Sequence, residues 1–328
     1  MYQKQRIALV IPAHNEEKLI GDTLRGVPEL VDDIYVIDDG STDATSECAR
    51  KVGDRRVVVI RKEKNEGVGA AIVTGYKVAF ERGADIAVVV GGDNQMDLAE
   101  IENFLRPIIE GAADYTKGNR FLDPSGTFER MPTVRLFGNA LISAMCKLAS
   151  GYFKVYDAVD GYTALSRYGF EQVRWKKVWK GYGYPLDFLI RLNTAGLRVM
   201  DVPRRAIYLS GVRQSQIHGF SYAIHVFPML LRGFFRRLLY KYILRDFHPL
   251  VFFYLLGLFL VPAGFVFGLY LVWQQASGIG VSGPRAVLCA LAILIGVQSF
   301  FFAIAFEILH QESPGNRRQE GRSKRQSL

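Results

Sequence analysis

Two apolar runs near the C-terminus, residues 249–273 and 286–309, limit what this chain can fold into more than any other feature. At ~1.5 Å rise per helical residue, each can cross a hydrocarbon core of ~30 Å. A buried core helix seldom stays apolar on every face for so long. The overall hydrophobic fraction of 49% hides this asymmetry, because residues 1–220 carry charges throughout. Arg232, Arg236, Arg237, Lys241 and Arg245 precede the first run, and Arg317, Arg318, Arg322, Lys324 and Arg325 follow the second. The connector between the runs has only Arg285. The positive-inside rule therefore predicts a two-span hairpin with its connector on the far face. At the other end, the short apolar stretch Ile7–Pro12 suits a first strand better than a signal peptide. The N-terminal part and the tail are both expected in the cytosol.

A net charge of +9 raises the question of nucleic acid. Much of the excess flanks the two runs, where anionic lipid headgroups would attract it, so no nucleic-acid partner is expected. Cys48, Cys146 and Cys289 lie far apart and form neither a disulfide framework nor a metal cluster. The five histidines have no zinc spacing.

Strand-like and helix-like segments alternate through the first half. IALVIPA, DDIYVIDDG, RVVVIRK and ADIAVVVGGDNQ read as strands, and EEKLIGDTLRGVPEL, TDATSECARKVG and the segment from Asn65 to Gly83 as helices. That order predicts an α/β fold with a mostly parallel sheet flanked by helices. Ligands in such sheets bind beyond the carboxyl ends of the strands, where Ala13–Glu17, Asp38–Asp43 and Gly91–Asp97 fall. Residues 136–153 read as a core helix or one lying on the bilayer, and residues 224–247 as one or two interfacial helices. The polar tail from Gln311 has a disordered composition.

Three clusters carry candidate chemistry. Asp38 and Asp39 at a strand end could bind a base and ribose or help hold a cation. The same segment reads equally well as a helix N-terminus, with Ser41 or Thr42 as the cap. Asp93, with Gln95 on the same face, suits Mg²⁺ or Mn²⁺ neutralising a diphosphate, since hard cations take one or two carboxylates plus phosphate oxygens. Lys117–Phe121, with Arg135 and Arg213, offers guanidinium forks suited to a phosphate. Gln172-Val173-Arg174-Trp175 is one residue short of the Gln-x-x-Arg-Trp signature of processive polysaccharide synthases, and is read as coincidence.

Together the motifs resemble the family 2 glycosyltransferases, and among them the polyprenyl-phosphate sugar transferases of the dolichol-phosphate mannosyltransferase type. VIPAHNEE is similar to that family's opening, with His14 where tyrosine is usual. VIDDGSTDAT, KNEGVGAAIVTGYK, GGDNQMD and GNRF match further segments in order, and Asp157, Asp160 and Gly161 match another. The resemblance implies a GT-A (Rossmann-like) catalytic domain over residues 1–220. Amphipathic interfacial helices at 221–248, two transmembrane helices at 249–310 and a basic tail at 311–328 would complete the chain. It implies that Pro12, His14, Glu16, Asp38, Asp39 and Gly67 line the nucleotide pocket. Asp93 and Gln95 would hold the cation, and Arg120, Arg135 and Arg213 would meet the acceptor phosphate or the donor's charge. Gly91 replaces the first aspartate of the family's Asp-x-Asp, leaving Asp97, Asp157 or water to substitute. The implied reaction moves one sugar from GDP-mannose or a UDP-sugar onto dolichyl or undecaprenyl phosphate by inverting displacement. Members of the family often form homo-oligomers. The competing readings are a processive synthase and a non-catalytic membrane protein that binds nucleotide sugars.

Overall fold

The computed structural model describes residues 1–122, 133–205, 207, 219–245 and 247–311. Its organising element is β1 (Ile7–Ala13), where almost every residue is apolar and buried. A continuous apolar strand needs cover on both faces, which parallel sheets with helices on each side provide. β1 lies between β2 (Asp33–Asp38) and β4 (Ile86–Val89), parallel to both. β3 (Val57–Arg61) adds to β2 in parallel. On the other side β6 (Thr163–Ser166) runs antiparallel between β4 and β5 (Tyr115–Asn119), and β7 (Val199–Pro203) closes that edge parallel to β5. The seven-stranded order is β3-β2-β1-β4-β6-β5-β7.

Side-chain alternation sorts the helices between the faces. Ile7, Leu9 and Ile11 join one core with Ile20 and Leu24 of α1 (Ile20–Arg25) and Ile101, Phe104 and Leu105 of α4 (Ile101–Ile109). Full burial of each such side chain is worth ~1.5–3 kcal/mol. Val10 points the opposite way, towards α3 (Val68–Glu81), where a Cβ at Gly75 would collide with the Val10 side chain. Gly75 thus lets α3 lie close on the sheet. α2 (Thr45–Lys51) packs near β3.

Two expected helices are shorter than their patterns. The first covers only Ile20–Arg25, because the backbone of Glu16 and Glu17 is held by Thr45 and Asp43 in a turn. The second begins at Thr45, and neither Ser41 nor Thr42 caps it. Ser41 instead accepts a hydrogen bond from the Asn15 N–H, and Thr42 donates to Asn15 Oδ1.

After β5 come α5 (Thr133–Ser150), α6 (Arg167–Gln172), α7 (Tyr184–Thr194) and α8 (Gly219–Arg237). Trp175 donates to the Phe170 carbonyl and packs among Tyr76, Phe170 and Phe188, a core role for the near-signature it belongs to. α5 and α8 pack together, leaving Leu141 and Leu148 of α5 and Ile224, Phe227, Leu231 and Phe235 of α8 exposed. The α8 spacing makes one apolar stripe along that helix.

The chain forms two compact units, Met1–Arg237 and Leu238–Leu328. In the second, a π-helical segment (Leu238–Arg245) precedes α9 (Leu250–Ala276) and α10 (Gly283–Gln311). Both α9 and α10 are long and apolar enough to cross a membrane. Glu307 is fully buried in α10 and accepts hydrogen bonds from the Tyr242 and Tyr254 hydroxyls, each at 2.7 Å. Those bonds satisfy a carboxyl group that would be costly in an apolar setting.

Candidate active site

The carboxyl ends of β1, β2 and β4 bring together the three acidic segments read from the sequence. Asp38 is buried, and burial alone would push its pKa up. Hydrogen bonds from Ser41 and Ser46, with Arg61 nearby, outweigh that and hold it below the usual carboxylate range. Asp39 accepts the backbone N–H groups of Glu66 (3.1 Å) and Gly67 (2.6 Å) and pairs with Lys62 at 2.9 Å. The two aspartates therefore fix the β2 turn and tether the start of α3 to it. His14 reaches the same turn through Nδ1, 3.1 Å from the Asp39 carbonyl oxygen. Pro12 pairs with Ile37 one step before the strand ends.

Gly67 has a structural reason of its own. Its φ of +95° disfavours any side chain, and a Cβ there would run into the Lys180 carbonyl oxygen. Gly69 donates its N–H to that same oxygen at 2.7 Å. The crossing segment is pinned from α7, where Asp187 accepts the Trp179 N–H while Arg191 bonds Asp187 and the carbonyls of Arg174, Lys176 and Lys177.

Asp93 follows β4. Burial raises its pKa, only partly offset by the Gln95 N–H (3.3 Å) and the charge of Arg204. A Cβ at Gly91 would sit 2.8 Å from Asp93 Oδ1, so the Asp93 carboxyl occupies the space a side chain at position 91 would need. A side chain at position 91 would therefore require the Asp93 carboxyl to turn away. Of the expected substitutes, Asp97 caps the short turn at Leu98–Glu100 and Asp157 is committed to Arg120. The carboxylate that shares Asp93's electrostatic field is Glu16. Burial first, then the charges of Asp93 and Asp43, push Glu16 up to about 7. Among the described residues no group of three or more His, Cys, Asp or Glu side chains is placed to hold a metal ion. Two desolvated carboxyl groups with too little counter-charge nevertheless fit a divalent cation whose other ligands come from a diphosphate.

A cationic cluster stands at the ends of β5 and β7. Arg120 makes a bidentate pair with Asp157 (2.7 and 3.0 Å) and reaches Asp160 at 3.3 Å. Arg204 binds Asp160 at 2.6 Å, and the buried Lys117 ammonium donates to the Asp160 carbonyl. Burial would raise the Asp160 pKa, but Arg204, Arg120 and Lys117 overcome it and pull it down to about 2. Arg204 also touches the Gln95 carbonyl at 3.4 Å, joining this cluster to the Asp93 turn. The sequence reading passed over Arg204, whose signal was a basic pair closing a strand. Arg213 and the Arg135 side chain lie outside the described residues.

Comparison with known proteins follows from this geometry. The model of glycosyl transferase family 2 matches residues 8–174. The chain is 32% identical over 217 residues to the UDP-N-acetylglucosamine–dolichyl-phosphate N-acetylglucosaminyltransferase of Methanococcus voltae, covering 62% of this chain and 86% of that one. It is 28% identical over 207 residues to the polyprenol monophosphomannose synthase of Mycolicibacterium smegmatis, covering 61% and 76%. The UDP complex of glucosyl-3-phosphoglycerate synthase from Mycobacterium tuberculosis superposes with a TM-score of 0.50 at 20% identity, covering 71% and 80%. That likeness shows the fold alone.

Proposed function

The chain belongs to glycosyl transferase family 2, and on that premise we propose that it transfers one sugar from a nucleotide-sugar donor to a polyprenyl phosphate at a membrane surface. The observation that carries this reading is the opposition of two charges across one sheet end. An under-neutralised carboxylate turn at Asp93 and Glu16 lies beside a cluster in which Arg120, Arg204 and Lys117 outnumber the buried Asp157 and Asp160, and Arg204 links the two. The carboxylate side suits the cation-bound diphosphate of a donor, the cationic side an anionic acceptor. Both relatives named above carry a polyprenol-type phosphate in their names.

In this reading Pro12, His14, Asp38 and Asp39 shape the nucleotide pocket, the aspartates mainly by fixing its backbone. Asp93 and Gln95, with Glu16 beside them, would hold Mg²⁺ or Mn²⁺. A bound cation there would neutralise the departing nucleoside diphosphate. Arg120, held in place by Asp157, together with Arg135 and Arg213, would orient the acceptor phosphate. A phosphate oxygen is already anionic, so no general base need create the nucleophile, and positioning and charge stabilisation supply the rate. The displacement at the anomeric carbon is a single in-line step that inverts configuration. α9 and α10 anchor the chain in the bilayer, and the exposed stripes of α5 and α8 meet its surface from the cytosolic side. GDP-mannose and UDP-sugars are the donor candidates, and dolichyl and undecaprenyl phosphate the carriers.

The test compares polyprenyl phosphate with the free polyprenol across a panel of donors, using purified protein with Mg²⁺ or Mn²⁺. Transfer to the phosphate alone supports the reading. Equal transfer to the alcohol would sink the base-free mechanism, and a polymeric product would replace it with a processive synthase.

A further inference from the structure

Beside the arginine cluster lies a cavity of about 460 Å³ that no step above uses. Its walls are mostly apolar: Phe121 and Leu122 follow β5, Ala140 and Ala144 come from α5, and Tyr156 closes one side. This volume lies within the range of small-ligand sites. Two polar groups on α5 complete the lining. Ser143 is buried, and among the described residues its hydroxyl has no hydrogen-bond partner. Lys147 stands one turn further on, its ammonium 4.1 Å from the centre of the Tyr156 ring. A buried hydroxyl left unpaired is costly unless a ligand completes it.

The cavity borders both components that an amphiphilic phosphate would need. Asn119, which also lines it, immediately precedes Arg120 and is held by Asp201 at 2.7 Å. On its outer side, Ala140 and Ala144 share the exposed face of α5 with Leu141 and Leu148, beside the apolar stripe of α8. The exposed Ala140 and Ala144 thus border the cavity with apolar surface, and Ser143 and Lys147 are its polar side.

Building on the function proposed above, we infer that this cavity receives the first isoprene units of the lipid acceptor, with Lys147 and Ser143 joining Arg120 at its phosphate end. A hydrocarbon chain fits the walls, and a phosphate supplies the acceptor for the Ser143 hydroxyl and adds to the charge of Asp201 near Lys147. Acceptor specificity would then be set on α5, apart from the residues that bind the donor.

The experiment measures steady-state transfer by the full chain in detergent with undecaprenyl phosphate as the varied substrate. Ala144→Phe, which fills the cavity, raises the acceptor KM about tenfold or more while the donor KM stays put. Lys147→Met raises the acceptor KM in the same way. An acceptor KM unchanged in both variants overturns the assignment. Because a filled cavity could also disturb folding, the wild-type protein is photolabelled with a short isoprenyl phosphate carrying a diazirine. Labels within residues 140–147 support the assignment. Labels confined to other segments overturn it. The photolabel does not depend on turnover. If the wild type labels there yet transfers no sugar, the proposed reaction fails while the lipid site stands. If it transfers sugar yet labels elsewhere, the site fails while the reaction stands.

Discussion

Replacing Glu16 with Gln should make the ligand-free protein more stable at pH 8 and leave it almost unchanged at pH 4. Burial, aided by the charges of Asp93 and Asp43, moves the Glu16 carboxyl from an ordinary 4.5 to about 7. A displacement of that size corresponds to about 3 kcal/mol when the group is ionised. The side chain is only about half-buried, so solvent screening reduces this to about 1–2 kcal/mol. Below pH 4.5 the group is protonated in both folded and unfolded chains, and the penalty vanishes. It grows as pH rises and is complete above about 7, because only the folded state then has to give up a tightly held proton. Gln has no proton to lose, so the variant escapes the penalty. For a unit of this size, about 1–2 kcal/mol corresponds to a Tm rise of about 3–6 °C. Differential scanning fluorimetry in detergent at the two pH values, without cation or donor, reads it directly. A gain of equal size at both pH values would assign the effect to packing rather than charge. No gain at pH 8 would refute the strained carboxylate.

The same carboxylates should respond to mutation and pH elsewhere. Asp93→Asn lowers kcat/KM by about 100-fold or more in donor-turnover assays, with the fold retained by circular dichroism. Gly67→Ala loses about 1–3 kcal/mol in thermal unfolding, since φ is +95° and the Lys180 carbonyl leaves no room for a methyl group. Asp160, held at about 2 against an ordinary 3.8, contributes about 2 kcal/mol that is lost as pH falls from about 4 through 2. Asp160→Asn should remove that acid-dependent loss in pH-stepped unfolding, while destabilising the protein at neutral pH.

The centre of the sheet was legible because β1, β2 and β4 are buried on both faces and so appear as apolar runs. β1 and β4 needed no partner to be recognised. The order in which strands pair left no such trace, and the coupling of Glu16 to Asp93 depends on β1 lying beside β4. Arg204 was missed for the same reason: its partner Asp160 is 44 residues earlier, and only the fold brings them together. Gly67 was visible, but its reading as part of the nucleotide pocket lacked half the cause. The crossing chain at Trp179–Gly181 that excludes a side chain from Gly67 comes from the other end of the domain. Asp38 and Asp39 were open between ligand binding and capping, and both side chains turn out to hold backbone. The helix from Glu16 was overextended because its turn is tied by contacts to Asp43 and Thr45, which a periodicity cannot show.

The central claim, one sugar placed on a lipid phosphate through a site organised by Asp93, is tested most directly by mass spectrometry of the lipid. Undecaprenyl phosphate would be recovered after incubation with wild type and with Asp93→Asn, each given the donor panel and Mn²⁺. The account predicts a mass increase of one sugar residue with the wild type for at least one donor, and little or none with the variant. An unmodified lipid with every donor, an increase of several sugars, or equal product from the variant would contradict it.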